Sequence, residues 1–462
     1  MQRWAAIAIL SAVCGGAGFA QNSRQVSKDL QPFVKIDAIS TIEAVPNAPP
    51  VTVVHCPRLF DSTSGKMLGP TTVVISGDKF DKVESGAQSA EGATVIEVGS
   101  DATCLPGLID DHVHLDDQFG KNTYQEQAHL NFANKVLRST LYARRTLMAG
   151  FTTVRNVGDS DYDTVALRQE IAAGTVIGPR IFTAGPAIST TGGHADSTNG
   201  LSLEYQGNPG PLQSIFNGPD EARKVVRLHY KNGADLIKAM PSGGVMDLGT
   251  NGSNPQMSED EIRAVVETAH DYGMKVAVHA HGAEAIRRSV VAGVDSVEHG
   301  TFMDDQDIAL MKQHGTFYCP TVYTGQFVAE QAKKGAYPAT VAAKAIAIGP
   351  QIMSTVARAY KGGVKFAYGT DAGVYPHGQN WEDFIYLVKA GLPPAYTLQM
   401  ATINAAQLLG HEDTLGSVAP GKFADLVVVP GNPLDDISAM SKVDFVMKAG
   451  VVYKRDGKEV LQ

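Results

Sequence analysis

Cysteine is scarce in this chain of 462 residues, with four in all and no Cys-x-x-Cys spacing. That excludes a zinc knuckle and a dithiol redox motif. No run of lysine or arginine interrupts a formal net charge of −9, so neither nucleic acid nor an anionic membrane is an expected partner. No segment approaches the roughly 20 consecutive apolar residues that span a bilayer. A nucleotide loop is also missing. Gly192-Gly193-His194 and Gly243-Gly244 follow strand-like runs, but neither completes Gly-x-Gly-x-x-Gly. What remains is 44% hydrophobic and 19% charged, the composition of an ordinary globular protein with one large domain or two modest ones.

The first twenty residues differ from the rest. Arg3 precedes an apolar run from Trp4 to Val13, and Ala17-Gly18-Phe19-Ala20 supplies small residues before a polar stretch. This predicts a secretory signal peptide over 1–20, cleaved after Ala20, and a periplasmic or secreted protein. Cys14 is no lipoprotein cysteine, because Val13 stands where a small residue is wanted. Loss of Arg3 makes the mature chain one unit more negative. Cys56, Cys104 and Cys319 then remain. Export permits a Cys56–Cys104 disulfide, and the odd count equally permits buried free thiols.

Both ends of the mature chain carry short β-prone runs: Thr71–Ile75, Lys82-Val83 and Ala93–Val98, then Ala424–Val429, Phe445–Lys448 and Val451–Tyr453. They predict one β-sandwich built from 35–107 and 412–462. Between them, over 108–411, eight apolar runs alternate with amphipathic stretches such as Glu259–Tyr272 and Glu284–Ala292. The runs are Leu108–Leu115, Phe151–Val157, Arg180–Ala184, Asp235–Met240, Lys275–His281, Ser296–His299, Thr316–Val322 and Lys365–Thr370. Apolar strands alternating with helices predict a parallel sheet buried on both faces, and eight of them predict a (β/α)₈ barrel. A doubly wound open sheet is the alternative fold.

In such a barrel the chemistry lies at the C-terminal ends of the strands. The first strand ends in His112-Val113-His114, whose imidazoles share one face and suit a single divalent metal. The fourth ends in Leu236-Ile237-Lys238-Ala239. A lysine there either pairs with a loop acid or, deprotonated by burial, takes up CO₂ as a carbamate, a short carboxylate able to bridge two cations roughly 3.5–4 Å apart. His279 and His281 close the fifth strand, Glu298-His299 the sixth and Thr370-Asp371 the eighth. Five of eight strand ends thus offer a metal-capable or basic group. His194, Tyr323 and His377 sit in loops after strands three, seven and eight and are candidate substrate contacts. His129, His229, His270, His314 and His411 read as solvated helix or loop residues, His55 belongs to the sandwich, and Tyr230 reads as helical.

Leu105-Pro106-Gly107-Leu108-Ile109-Asp110 before His112-Val113-His114, with Lys238, His279, His299 and Asp371, resembles the amidohydrolase superfamily over nearly the whole mature chain. Gly416–Leu426 is similar to that family's return into its β-sandwich. A lysine on strand four implies the two-metal branch. The runs Val276–Gly282 and Tyr368–Gly378 resemble the imidazolonepropionase-like group, with its Xaa-Pro dipeptidases, carboxypeptidase-like relatives and ochratoxin-hydrolysing amidases. The steps of 41 residues from Lys238 to His279 and 20 from His279 to His299 also resemble that group, and favour His279 over His281 as the strand-five ligand. Cys104 departs from the family's usual aliphatic residue, which touches strand packing rather than chemistry.

The resemblance implies one metal on His112, His114 and Asp371 and another on His279 and His299, with N6-carboxylated Lys238 and a hydroxide bridging them. Zinc suits these ligands, and manganese or cobalt could replace it. Asp371 would serve as general base and then acid, and His281 would meet the developing oxyanion. The expected reaction is hydrolysis of a dipeptide, Xaa-Pro included, or of an N-acyl amino acid, extending to ochratoxin-like amides. The Gly-, Asn- and Ser-rich stretch from Pro186 to Pro219 would cover the site, and a homo-oligomer is implied. A cyclic amide or lactone hydrolase on the same metals is the alternative. Esterase or phosphotriesterase side activity and a non-catalytic scaffold are more distant rivals.

Overall fold

The computed structural model describes residues 51–460 except 89, 90, 121, 250 and 251. The expected signal peptide and the first part of the expected sandwich segment, 35–50, lie outside the described residues. Among the described residues no helix is long and apolar enough to cross a membrane.

Segments from both ends of the chain pair directly. Leu426–Pro430 runs antiparallel to Ala102–Pro106, with Leu426 opposite Pro106 and Pro430 opposite Ala102. This pair is the middle of a seven-stranded sheet whose remaining strands come from both termini. A second sheet of four strands orders Lys79–Ser85, Thr71–Ser76, Thr52–Cys56 and Thr94–Glu97. Inward residues of both sheets, among them Val54, Val73, Ile75 and Phe80 from one and Leu426, Val428, Phe445 and Met447 from the other, close into one apolar layer. That is the β-sandwich. Of the two readings of the cysteines, the disulfide is the one realised: Cys56 and Cys104 are bonded, with Cα atoms 5.8 Å apart, and join the two sheets. Cys319 is free and buried in the barrel.

All eight expected barrel strands form, and all pair in parallel. Leu108–Val113, Phe151–Asn156 and Arg180–Thr183 make one run of three, and Leu236–Ala239, Lys275–Ala280, Ser296–His299, Phe317–Cys319 and Lys365–Phe366 a run of five. Backbone hydrogen bonds join the runs at both seams. Asp235 N donates to Thr183 O at 2.7 Å and Ile188 N to Lys238 O at 2.8 Å. At the other seam Asp111 N donates to Tyr368 O and Asp371 N to His112 O, both at 2.7 Å. Every residue of the first, second, fourth and sixth strands is buried, as a sheet covered by helices requires. The helices Glu259–Asp271 and Ala283–Ala292 fall where the amphipathic pattern put them, and Tyr230 lies on the helix Gly218–Lys231. The eighth strand is shorter than expected. Past Phe366 the backbone bonds to the first strand at single points and carries Asp371 toward the barrel mouth.

The disulfide closes a loop with a sequence separation of 48. Replacing Cys56 and Cys104 together by alanine is expected to cost about 2–5 kcal/mol of stability. Calorimetry on the variant should show a lowered Tm matching that of reduced wild type, and an unchanged Tm would refute a stabilising role.

Candidate active site

The first strand places His112 and His114 on one side, and each ring is fixed through one nitrogen. His112 Nδ1 lies 2.7 Å from Glu298 Oε2, and His114 Nδ1 lies 3.0 Å from the carbonyl oxygen of Gly158. Both acceptors take a proton from Nδ1, so each ring presents an Nε2 lone pair when neutral and donates from Nε2 when cationic. The two Nε2 atoms face Asp371 Oδ1 at 3.4 and 3.3 Å. One ligand atom from each of the three residues lies within 4.8 Å of the others, a set that can hold a divalent cation. Asp371 is held there in a left-handed backbone conformation, φ 61°, as is His299 at φ 69°. Such conformations cost on the order of 1–3 kcal/mol each and concentrate at functional sites. Burial pushes the Asp371 carboxyl up, but hydrogen bonds and charge from His112 and His114 outweigh it, and the net shift is strongly downward.

A second set adjoins the first. The His279 ring lies 4.6 Å from that of His299, and His299 lies 5.0 Å from His112. His279 Nε2 is 3.2 Å from Gly243 O, and His299 Nδ1 is 2.8 Å from Thr321 Oγ1. His281 packs 4.7 Å from His279, with its Nδ1 2.9 Å from Thr301 Oγ1. Burial, then the neighbouring cationic groups, holds His279 and His299 well below the usual imidazole range and takes His281 to about 3. These rings are therefore neutral, the form that ligates metal. Lys238 ends the fourth strand 1% exposed, its Nζ without a hydrogen-bond partner. Burial lowers its pKa to about 8, so the free amine is a minor but accessible form near neutrality. An orphaned amine beside three imidazoles and a carboxylate fits a carbamate bridge better than a structural lysine.

Glu298 underlies the whole arrangement and was not singled out by the sequence. It accepts from His112 through Oε2 and from Arg155 Nη2 through Oε1 at 2.8 Å, while Arg155 Nε donates to Asp111 O at 2.6 Å. Burial opposes its ionisation, but the Arg155 charge and the His112 bond hold the carboxyl far below its usual range. The signal was present. Arg155 and Glu298 are charges inside apolar parallel strands, and the argument applied to Lys238 covers them too.

All the metal-capable residues line one cavity of about 820 Å³. Asp116, Asp117, Asp159 and Asp161 form part of its wall, and Val245, Met246, Val328, Ile348 and Val374 another. Residues of the 186–219 stretch, His194 among them, also line it. Two expected contacts are absent from the lining. Tyr323 packs among the rings of Phe327, Tyr375 and Tyr386, and His377 stacks on Tyr142 at 4.7 Å with Nε2 2.9 Å from Asp117 O. Neither lines the cavity: His377 is buried and half-buried Tyr323 is held among its ring partners. The expectation for His229 is corrected. It is fully buried, with Nδ1 2.9 Å from Ala184 O and Nε2 3.2 Å from Ser214 Oγ, a satisfied core histidine rather than a solvated one.

Residues 103–453 match the amidohydrolase family. Ochratoxinase of Aspergillus niger is 31% identical over 372 residues, 76% of this chain and 76% of that protein. A crystal structure of a Xaa-Pro dipeptidase with bound methionine in its active site superposes with a TM-score of 0.85 at 45% identity, covering 87% of this chain and all of that one (100%). A prolidase complexed with N-methylphosphonate-L-proline gives 0.80 at 32% identity, covering 88% and 100%.

Glu298→Gln leaves an amide that cannot serve Arg155 and His112 as one anion. Metal affinity is expected to fall by about 10–100-fold, measured by competition with a chromophoric chelator. Wild-type affinity in the variant would remove Glu298 from the ligand-orienting role.

Proposed function

The chain belongs to the amidohydrolase family, hydrolases acting on C–N bonds, and on that premise we propose that it is an exported two-metal hydrolase of dipeptides, Xaa-Pro included, or N-acyl amino acids. Ochratoxin-like amides fall within the same class. The observation that carries this reading is the meeting of the Asp371 carboxylate, the imidazoles of His112 and His114 and the orphaned Lys238 amine in one cavity. His112, His114 and Asp371 would hold one cation and His279 and His299 the other, with Lys238 joining them as its carbamate. Zinc suits the donors. When bound, such cations polarise a carbonyl and make water acidic enough to yield hydroxide near neutral pH.

The chain's own groups do the rest. Asp371 Oδ1 faces both imidazoles, which leaves Oδ2 to take a proton from the attacking water and deliver it to the departing nitrogen. His281 donates from Nε2 to the carbonyl oxygen as charge develops there. That tautomer requires the Thr301 hydroxyl to donate to His281 Nδ1, and their 2.9 Å separation allows it. His194 meets the substrate's carboxylate. A cavity of about 820 Å³ is near the top of the range for small-molecule sites and has room for an extended acyl chain, which disfavours a purely cyclic substrate. The disulfide supports export. A homo-oligomer is part of the same reading.

The test is hydrolysis by zinc-loaded, signal-free protein of dipeptides and N-acyl amino acids, each beside its C-terminal amide. Cleavage of the free acids, lost on blocking the carboxylate, is expected. Asp371→Asn, kept in excess zinc, should lower kcat by about 10²–10⁴. A silent panel from protein carrying two metals would overturn the reading.

A further inference from the structure

Charged and apolar lining residues are sorted by strand. Asp116 and Asp117 follow the first strand and Asp159 and Asp161 the second, whereas Val245 follows the fourth, Val328 and Ile348 the seventh and Val374 the eighth. The last four pack into one apolar cluster that stands apart from the barrel core, with Phe119 and Met246 against it. All four line the cavity and yet are at most 8% exposed, so the space between them is a narrow cleft rather than open wall.

A buried ammonium holds the cleft together. Lys344, on the helix Ala339–Ile348, places Nζ 2.9 Å from Asp247 Oδ1 and within 2.8, 2.9 and 2.7 Å of the carbonyl oxygens of Gly244, Asp247 and Gly249. Four acceptors around three N–H donors leave it nothing to offer a ligand, and they tie the loop that carries Val245 to the helix that carries Ile348. Asp247 is the one charged residue between Met240 and Gly252, and it is spent on Lys344 and on His194 Nδ1. The helix Val322–Lys333, which carries Val328, approaches the end of the Lys344 helix at Gly325. A Cβ on Gly349 would come within 2.3 Å of the Gly325 carbonyl oxygen, so the close approach requires glycine there. Walls of this kind bury an apolar side chain out of water and leave a charged one without a partner.

Val374 connects this cleft to the chemistry. Its backbone N donates to Asp371 O at 3.1 Å, a tight turn that keeps Val374 close to Asp371. In the function proposed above, on which the inference rests, Asp371 delivers a proton to the departing nitrogen, so the residue that carries that nitrogen lies on the Val374 side. We propose that the cleft is the subsite for the side chain of the residue released as the free amino acid, that this side chain is bulky and apolar, and that Lys344 is a positioning residue for the cleft's walls. The preferred substrates are then dipeptides or N-acyl amino acids that end in leucine, methionine, phenylalanine or a similar residue. Charged C-terminal side chains are disfavoured.

The test gives zinc-loaded protein a mixture of Ala-Leu, Ala-Phe, Ala-Lys, Ala-Asp and Ala-Gly, all with free carboxylates, and then the reversed series from Leu-Ala to Gly-Ala. Competition within one mixture reads ratios of kcat/KM, which do not depend on how much of the protein is folded or metal-loaded. Ala-Leu and Ala-Phe should exceed Ala-Gly by about 10–100-fold, Ala-Lys and Ala-Asp should not, and the reversed series should be flatter. Ile348→Ala and Lys344→Met should each lower the ratio of Ala-Leu to Ala-Gly by about 3–10-fold. Selection on the first residue instead, or ratios near one in both series, would overturn the subsite, and an unchanged ratio in Lys344→Met would remove Lys344 from it. If wild type cleaves no dipeptide, the functional reading fails by itself, and titration calorimetry decides the cleft. L-Leucine and L-phenylalanine should then bind wild type more tightly than glycine by a similar factor and lose that advantage in Ile348→Ala. Equal affinities, or no binding, overturn the inference.

Discussion

One buried carboxylate governs the interior. Glu298 is fully buried between the Arg155 guanidinium and the His112 imidazole, and bonds to both. Without Arg155 its charge would be too costly to bury, and without Glu298 the guanidinium would be. Because both stay charged, Glu298 accepts from His112 Nδ1, and His112 must turn its Nε2 lone pair to the cavity. Arg155 also bonds the backbone of Asp111, next to His112, so one ion pair sets both the tautomer and the track of the first strand. The order of dependence runs from charge compensation in the barrel interior, to ring orientation, to the converging ligand atoms at the mouth.

The barrel explains why these groups can meet at all. Parallel strands end together on one rim, so residues from the first, fourth, fifth, sixth and eighth strands, distant in sequence, share one space. The β-sandwich packs apolar residues of its own in a separate layer, pinned by the Cys56–Cys104 bond, and none of its described residues lines the cavity. Selectivity then falls to the loops. An acidic stretch of wall and an apolar stretch line different parts of the cavity, with His194 beside His279.

Much of this could be read from the residues. The eight strands, the helices between them and the six strand-end groups follow from apolar periodicity and from polar residues placed where burial should exclude them. Glu298 and Arg155 obey the same rule, but their pairing spans 143 positions, which no local pattern reveals. His377 and Tyr323 fall off the cavity lining for the opposite reason. Their neighbours in sequence lie at the mouth, but a loop's side chains follow ring partners such as Tyr142 and Tyr375, and those come from elements far away in the chain. The solvated expectation for His229 fails because a helix pattern does not say which turn lies beneath the 186–219 stretch.

Two buried lysines separate structure from chemistry more sharply than any motif. Lys344 and Lys238 are 8% and 1% exposed, and both must answer for burying an amine. Lys344 answers with four oxygens in reach, so its burial is compensated and its ammonium is spent. Lys238 has no hydrogen-bond partner, and desolvation lowers its pKa to about 8. The contrast between an ammonium so fully satisfied at one position and a bare amine at the other is what supports the carbamate proposed for Lys238. The free amine that this shift makes accessible is the form that reacts with CO₂, and the proposed carbamate would supply a further anion to the imidazoles around Asp371.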